Sequence, residues 1–190
     1  LSDKEMSEMP AAVIHIPTCM GAVVLAYNLP GVDNLKLTGE IVADIYMGKI
    51  TKWNDAKIKE LNPGITLPDK ELTPVYRSDG SGTTFVFSDY LTKVSANWKE
   101  NVGTGKSLKW PVGLAAKGNP GVAGTISQTP GAIGYIGSEY AFSLNIPMAQ
   151  MKNSSGNFIT PNTESISAAA KGDIPADTRT MITNSDAPDA

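Results

Sequence analysis

The sequence predicts an α/β fold built on a mainly parallel sheet flanked by helices. Three observations predict it. Short apolar runs rich in β-branched residues alternate with segments of helical period, turns bearing glycine or proline separate them, and no internal repeat breaks the alternation. With 190 residues, 41% apolar and 18% charged, the chain can bury a sizeable core and is too apolar to be disordered.

The elements follow in order. Residues 2–9 (SDKEMSEM) read as a short helix, with Ser2 and Glu5 spaced as a capping box. The run AAVIHIPTCMGAVVLAYNLPG reads as two buried strand segments joined at a bend. Its prolines and glycines exclude a membrane span. His15, between Ile14 and Ile16, is expected to be a hydrogen-bonded structural residue. Cys19, the single cysteine, excludes an intrachain disulfide and reads as a buried, inert thiol.

Residues 38–50 carry Ile41, Val42, Ile45 and Tyr46 at helical spacing and stop at Gly48. Asn54 is placed as the cap of a second helix ending at Leu61, closed by Asn62-Pro63-Gly64. A strand returns from Thr73. After the turn Asp79-Gly80-Ser81-Gly82, a segment of helical periodicity runs through Val94, and its Phe85, Phe87, Tyr90, Leu91 and Val94 read as core. Gly118-Asn119-Pro120-Gly121 reads as a loop, 122–128 as a short helix, and 131–137 (GAIGYIG) as a buried strand in which glycine permits close packing. A helix through Tyr140, a strand near Met148 to Met151, a polar turn at 153–156 and a small-residue helix over 163–170 complete the reading. The tail after Asp173 is expected to be peripheral.

Chemistry concentrates at 76–85, YRSDGSGTTF, where a strand meets a turn and the turn opens a helix. The first turn of a helix leaves N–H groups without intrahelical partners, and the macrodipole adds partial positive charge there. An anion is the natural occupant. Gly80 and Gly82 let successive N–H groups converge, and Ser81, Thr83 and Thr84 add hydroxyls. Arg77 brings a planar fork that matches two oxygens of a tetrahedral oxyanion. Asp79 would repel an anion and is read as the partner that pins Arg77. The same letters also compose an ordinary turn, an ordinary N-cap and a solvated ion pair.

Other chemistries fit less well. Residues 101–107 (NVGTGKS) lack the first glycine of a nucleotide P-loop, because Glu100 stands there. Gly80-Ser81-Gly82 is not a nucleophile elbow, since Asp79 and Thr83 flank it. A net charge of −3 and the lack of a basic patch argue against nucleic acid.

Six segments in the same order, GAVVLAYNLPG (21–31), DIYMGKITKWND (44–55), LNPGITLP (61–68), YRSDGSGTTFVFSDYL (76–91), NVGTGKSLKWPVG (101–113) and PGAIGYI (130–136), resemble the periplasmic phosphate-binding proteins of phosphate ABC transporters. The resemblance implies one lobe of a type II periplasmic solute-binding fold. It implies inorganic phosphate as ligand, with Arg77, Asp79, Ser81, Gly82 and Thr83 as the binding residues. It also implies permease subunits as partners, a periplasmic or extracytoplasmic location, no catalysis, and no cofactor or metal. The family's other lobe supplies an early Gly-rich Thr-Phe loop, a Ser-Gly-Gly turn and a proton-accepting aspartate, and none of these occurs here. Residues 1–190 therefore read as the second lobe alone, an excised or processed piece lacking its first lobe, with the outgoing crossover near 16–28. Such a half-site is expected to bind phosphate weakly and to discriminate poorly against sulfate. A sulfate or molybdate receptor, a phosphate-ester hydrolase using Ser81, and a signalling or adhesion fragment with a vestigial pocket are the alternatives.

Overall fold

Alternating faces of one sheet organise the chain in the computed structural model, which describes residues 3–16, 18–171, 175, 178 and 182–190. The main sheet has four strands, β1 (Val23–Tyr27), β3 (Thr73–Arg77), β4 (Leu114–Ala116) and β5 (Ala132–Gly137), in the order β1-β5-β3-β4. Strand β3 is parallel to both β4 and β5, whereas β1 runs antiparallel to β5. A smaller sheet joins β2 (Lys36–Leu37), β6 (Gln150–Lys152) and β7 (Phe158–Ile159), with β2 and β6 parallel and β6 and β7 antiparallel. The architecture is thus α/β with mixed sheets.

Strand residues alternate between two apolar layers, as a period of two requires. Leu25, Tyr27, Ile133 and Tyr135 face the larger layer with α2 (Gly39–Tyr46), α3 (Ala56–Leu61), α4 (Gly82–Val94) and α5 (Ala96–Asn101). Val24, Ala26, Val75, Ala132 and Ile136 face the smaller layer with α6 (Gly118–Gln128) and α7 (Ser138–Ser143). Helix α1 (Asp3–Ser7) and helix α8 (Thr163–Ala168) complete the described helices. None of the described helices is long and apolar enough to cross a membrane.

Caps explain where the helices start. Thr38 accepts from the Ile41 N–H at 3.3 Å to open α2, and Ser81 accepts from the Thr84 N–H at 3.3 Å to open α4. The cap of α3 is Asp55, whose Oδ1 accepts from Lys57 N–H at 2.8 Å, and not Asn54. Helix α5 and strand β4 were not expected from the sequence.

Three further expectations are corrected. Residues 11–16 form no strand; Ile14 and Ile16 are exposed, because apolar side chains without a pairing partner cannot make a sheet. Cys19 is exposed. Gly118-Asn119-Pro120-Gly121 is the first turn of α6 and not a loop. Proline is tolerated there because first-turn N–H groups have no intrahelical acceptor. The capping box proposed on Ser2 lies outside the described residues. So does part of the tail after Asp173; of its described residues none is buried. Residues 182–190 dock onto α4 and the 153–157 turn: Lys93 Nζ donates to Thr183 Oγ1 at 2.6 Å, Thr183 Oγ1 donates to Asp89, and Asn153 Nδ2 donates to the Ala190 carbonyl at 2.9 Å.

One edge of the main sheet is covered by a connecting segment. Tyr27 N–H donates to Pro147 O at 2.9 Å, Ala149 N–H donates to Leu25 O at 2.8 Å, and Ala26 bridges Met148 antiparallel.

Asn62 ties β2 to α3. Its Nδ2 donates to the carbonyls of Ile58 at 2.8 Å and Lys36 at 2.9 Å, while its Oδ1 accepts from Lys36 N–H at 2.8 Å. The residue is buried, so removing the amide leaves these groups unpaired. Asn62→Ala is expected to cost about 2–4 kcal/mol in urea unfolding. A loss below about 0.5 kcal/mol would show that water replaces the amide.

Candidate functional site

The site forms where β3 ends and α4 begins. The loop between them is fixed by Ser78 N–H donating to Ala116 O at 2.9 Å and Ser81 N–H donating to Lys106 O at 2.8 Å. Ser81 is extended, at φ −141° and ψ 133°, and its hydroxyl serves as the N-cap. The Ser81 amide and one lone pair of its hydroxyl are therefore already engaged. The N–H groups of Gly82 and Thr83 open the helix with no hydrogen-bond acceptor among the described residues.

Arg77 is the last residue of β3. Its N–H donates to the Tyr135 hydroxyl at 3.0 Å, and that hydroxyl shares a 2.8 Å hydrogen bond with Thr84 Oγ1. Burial raises the Tyr135 phenol above its ordinary pKa, so it stays protonated. The ring of Tyr135 stacks on Phe87 at 4.3 Å between centroids and on Trp110 at 5.7 Å. This aromatic packing fixes the phenol, and the phenol fixes the strand end relative to α4.

The guanidinium of Arg77 meets Asp79 side-on: Nε donates to Oδ1 at 2.8 Å and Nη2 donates to Oδ2 at 2.6 Å. Nη1 donates to Asn119 Oδ1 at 3.1 Å and reaches Thr83 Oγ1 at 3.5 Å. The Arg77 side chain is 11% exposed and that of Asp79 32%. The hydrogen bonds from Arg77, and then the Gly118 N–H at 3.0 Å, hold the Asp79 carboxyl well below the usual carboxylate range. The same hydrogen bonds to Asp79 raise Arg77 above its ordinary value. Gly118 reaches Asp79 with φ +69°, a backbone conformation suited to glycine.

Of the five residues singled out in the sequence, the side chains of Arg77, Asp79 and Thr83 meet directly, Ser81 caps the helix beside them, and Gly82 contributes exposed backbone. Asn119, Gly118 and Tyr135 were missed. The Gly-Asn-Pro-Gly run was visible but read as a loop, and its contact with Arg77 spans 42 residues of sequence. His15 is not part of the site; its Nε2 is buried with no partner among the described residues, contrary to the expected structural hydrogen bond. No group of three or more His, Cys, Asp or Glu among the described residues can hold a metal ion.

What the fold and this strand-to-helix junction define is a binding-protein domain: a model described as a PBP superfamily domain matches residues 1–189, and the chain belongs to that superfamily. Among its relatives, the phosphate-binding protein PstS of Xylella fastidiosa is 47% identical over 174 residues, covering 89% of this chain and 48% of the relative. The PstS of Pasteurella multocida is 49% identical over 160 residues, covering 83% and 46%. The chain spans about half the length of the curated relatives it matches. A solved high-affinity periplasmic phosphate-binding protein, PfluDING, bound with phosphate, superposes with a TM-score of 0.71 at 22% identity, over 93% of this chain and 52% of that one. An ancestral soluble variant of the human phosphate binding protein gives a TM-score of 0.69 at 21% identity, over 93% and 53%. These two share the fold.

Proposed function

We propose that this chain binds inorganic phosphate as the second lobe of a periplasmic, bilobal solute-binding protein that delivers phosphate to an ABC permease. The observation that carries the reading is the Arg77 fork, held side-on by Asp79 beside the Gly82 and Thr83 amides, which have no acceptor among the described residues. With Asp79 on one edge, the Nη1 and Nη2 end of the guanidinium is the edge that an oxyanion would take. The Gly82 and Thr83 amides, with the Ser81 and Thr83 hydroxyls, supply donors to its other oxygens. The names of the relatives favour phosphate over molybdate. A hydrolase is disfavoured because the Ser81 hydroxyl serves as the helix cap, accepting from Thr84 N–H, with no His or carboxylate on it among the described residues.

Calorimetric titration of the 190-residue chain with phosphate, and with sulfate in competition, tests this. Weak phosphate binding with measurable sulfate competition is expected, because charge-assisted hydrogen bonds contribute about 1.5–3 kcal/mol each and the other lobe would supply several. Sub-micromolar phosphate affinity would contradict the half-site, and no heat with phosphate at all would contradict the function.

The pH dependence follows from Asp79. Its folded pKa is depressed, so its ionised, Arg77-bound form persists above the unfolded value and is lost only as pH falls through the lower folded one. Sulfate affinity is therefore expected to stay flat from about pH 5 to about pH 9, while phosphate affinity varies only with the ligand's own protonation. A sulfate affinity that changes more than about threefold over that window would reveal another titrating group in the site.

A further inference from the structure

The donor inventory of Arg77 points to a residue that no sequence motif marked. A guanidinium carries five N–H bonds. Asp79 takes the Nε hydrogen and one from Nη2, and Asn119 Oδ1 takes one from Nη1 at 3.1 Å. What remains is one hydrogen on Nη2 and one on Nη1, whose nitrogen makes only a long 3.5 Å hydrogen bond to Thr83 Oγ1. Without Asn119 the Asp79 fork fixes one edge only, and Nη1 has a single long contact.

We infer that Asn119 is a positioning residue of the oxyanion site: its carboxamide clamps Nη1 so that the guanidinium presents a two-hydrogen end to the anion. Its carboxamide orientation is set by Arg77, which has only donors to offer, so the oxygen must face the guanidinium. The α6 start is built for this. Gly118 N–H is committed to Asp79 Oδ1 at 3.0 Å, Pro120 has no N–H, and Gly121 N–H returns to Lys117 O at 3.2 Å. The first turn of α6 thus touches both members of the Arg77–Asp79 pair, which joins two helix starts through one ion pair. An asparagine suits the position better than an aspartate, because it clamps the cation without setting a second carboxylate beside the incoming anion.

This inference rests on the proposed phosphate reading, and the test separates the two. Calorimetric phosphate titration of the wild-type chain, Asn119→Ala and Asn119→Asp would run beside nitrogen-15 NMR of the arginine side chains. The chain has two arginines, and Arg179→Lys assigns the Arg77 signals. Asn119→Ala is expected to weaken phosphate about tenfold and to speed exchange of the Nη1 hydrogens, broadening their signals, with folding cooperativity retained. Asn119→Asp is expected to keep the Nη1 signature yet bind phosphate more weakly at about pH 8 than at about pH 5, where the ligand carries less negative charge. If wild type binds phosphate and Asn119→Ala matches it within about twofold, or shifts the NMR signals without changing affinity, the positioning role is overturned and the phosphate reading stands. If wild type does not bind phosphate, the reading itself fails and the inference falls with it.

Discussion

Arg77→Ala is expected to weaken phosphate binding to this chain by at least about a hundredfold, read by titration calorimetry or by phosphorus NMR line shape. Two charge-assisted hydrogen bonds disappear with the guanidinium, at about 1.5–3 kcal/mol each. A second effect adds to the first. Asp79 would lose its principal partner and keep only the Gly118 N–H, leaving a carboxylate that faces the anion instead of the cation. Arg77→Lys should recover little, because an ammonium cannot span both Asp79 oxygens and still present a two-hydrogen edge. Thr83→Ala, which removes one neutral hydroxyl at 3.5 Å from Nη1, should cost about tenfold at most. Equal losses for Arg77→Ala and Thr83→Ala would refute the ranking, and an Arg77→Ala protein that binds phosphate like wild type would refute the site.

The largest effect on stability is expected at Gly131. Its φ is +95°, and a Cβ there would lie 2.5 Å from the Glu71 carbonyl oxygen, which is backbone and cannot swing aside. The same residue is a junction: its N–H donates to Asn28 O at 2.6 Å, and its carbonyl accepts from Thr73 N–H at 3.0 Å and from the Trp53 indole at 2.9 Å. Moving the backbone to relieve the clash therefore disturbs the start of β3, the entry to β5 and the seat of a buried tryptophan. Gly131→Ala is expected to cost about 3–5 kcal/mol, read as a lowered denaturant midpoint with the slope unchanged. A loss under about 1 kcal/mol would mean that the turn can be rebuilt locally.

What the sequence disclosed follows from the range of the interactions. The helix start at Ser81 was legible because a cap and the amide it serves are three residues apart, and the helix after Thr38 because its apolar residues recur at helical spacing. The α/β class was legible because hydrophobic period is local. Misreadings arose where composition and context conflict. Residues 11–16 have the apolar content of a strand but no neighbour to pair with, and Cys19 shares that apolar run yet stands exposed. Gly118 and Pro120 look like a loop until a helix is seen to begin with them. Asn119 and Tyr135 reach Arg77 across 42 and 58 residues, a relation that no window of sequence contains. The glycine run and its arginine were legible as a candidate site, and the fold added the groups that hold the arginine still.

The segment lying along β1 bears on how this protein behaves in solution. VVLAY at the rim of a sheet is a short, uncharged, β-branched stretch of the kind that zips onto strands of other molecules. The hydrogen bonds to Pro147 and Ala149 occupy Tyr27 and Leu25 on that rim, and the proline has no amide to offer a newcomer. Loosening the three-residue stretch 147–149 is therefore expected to expose that rim and promote fibril-like self-association in concentrated samples.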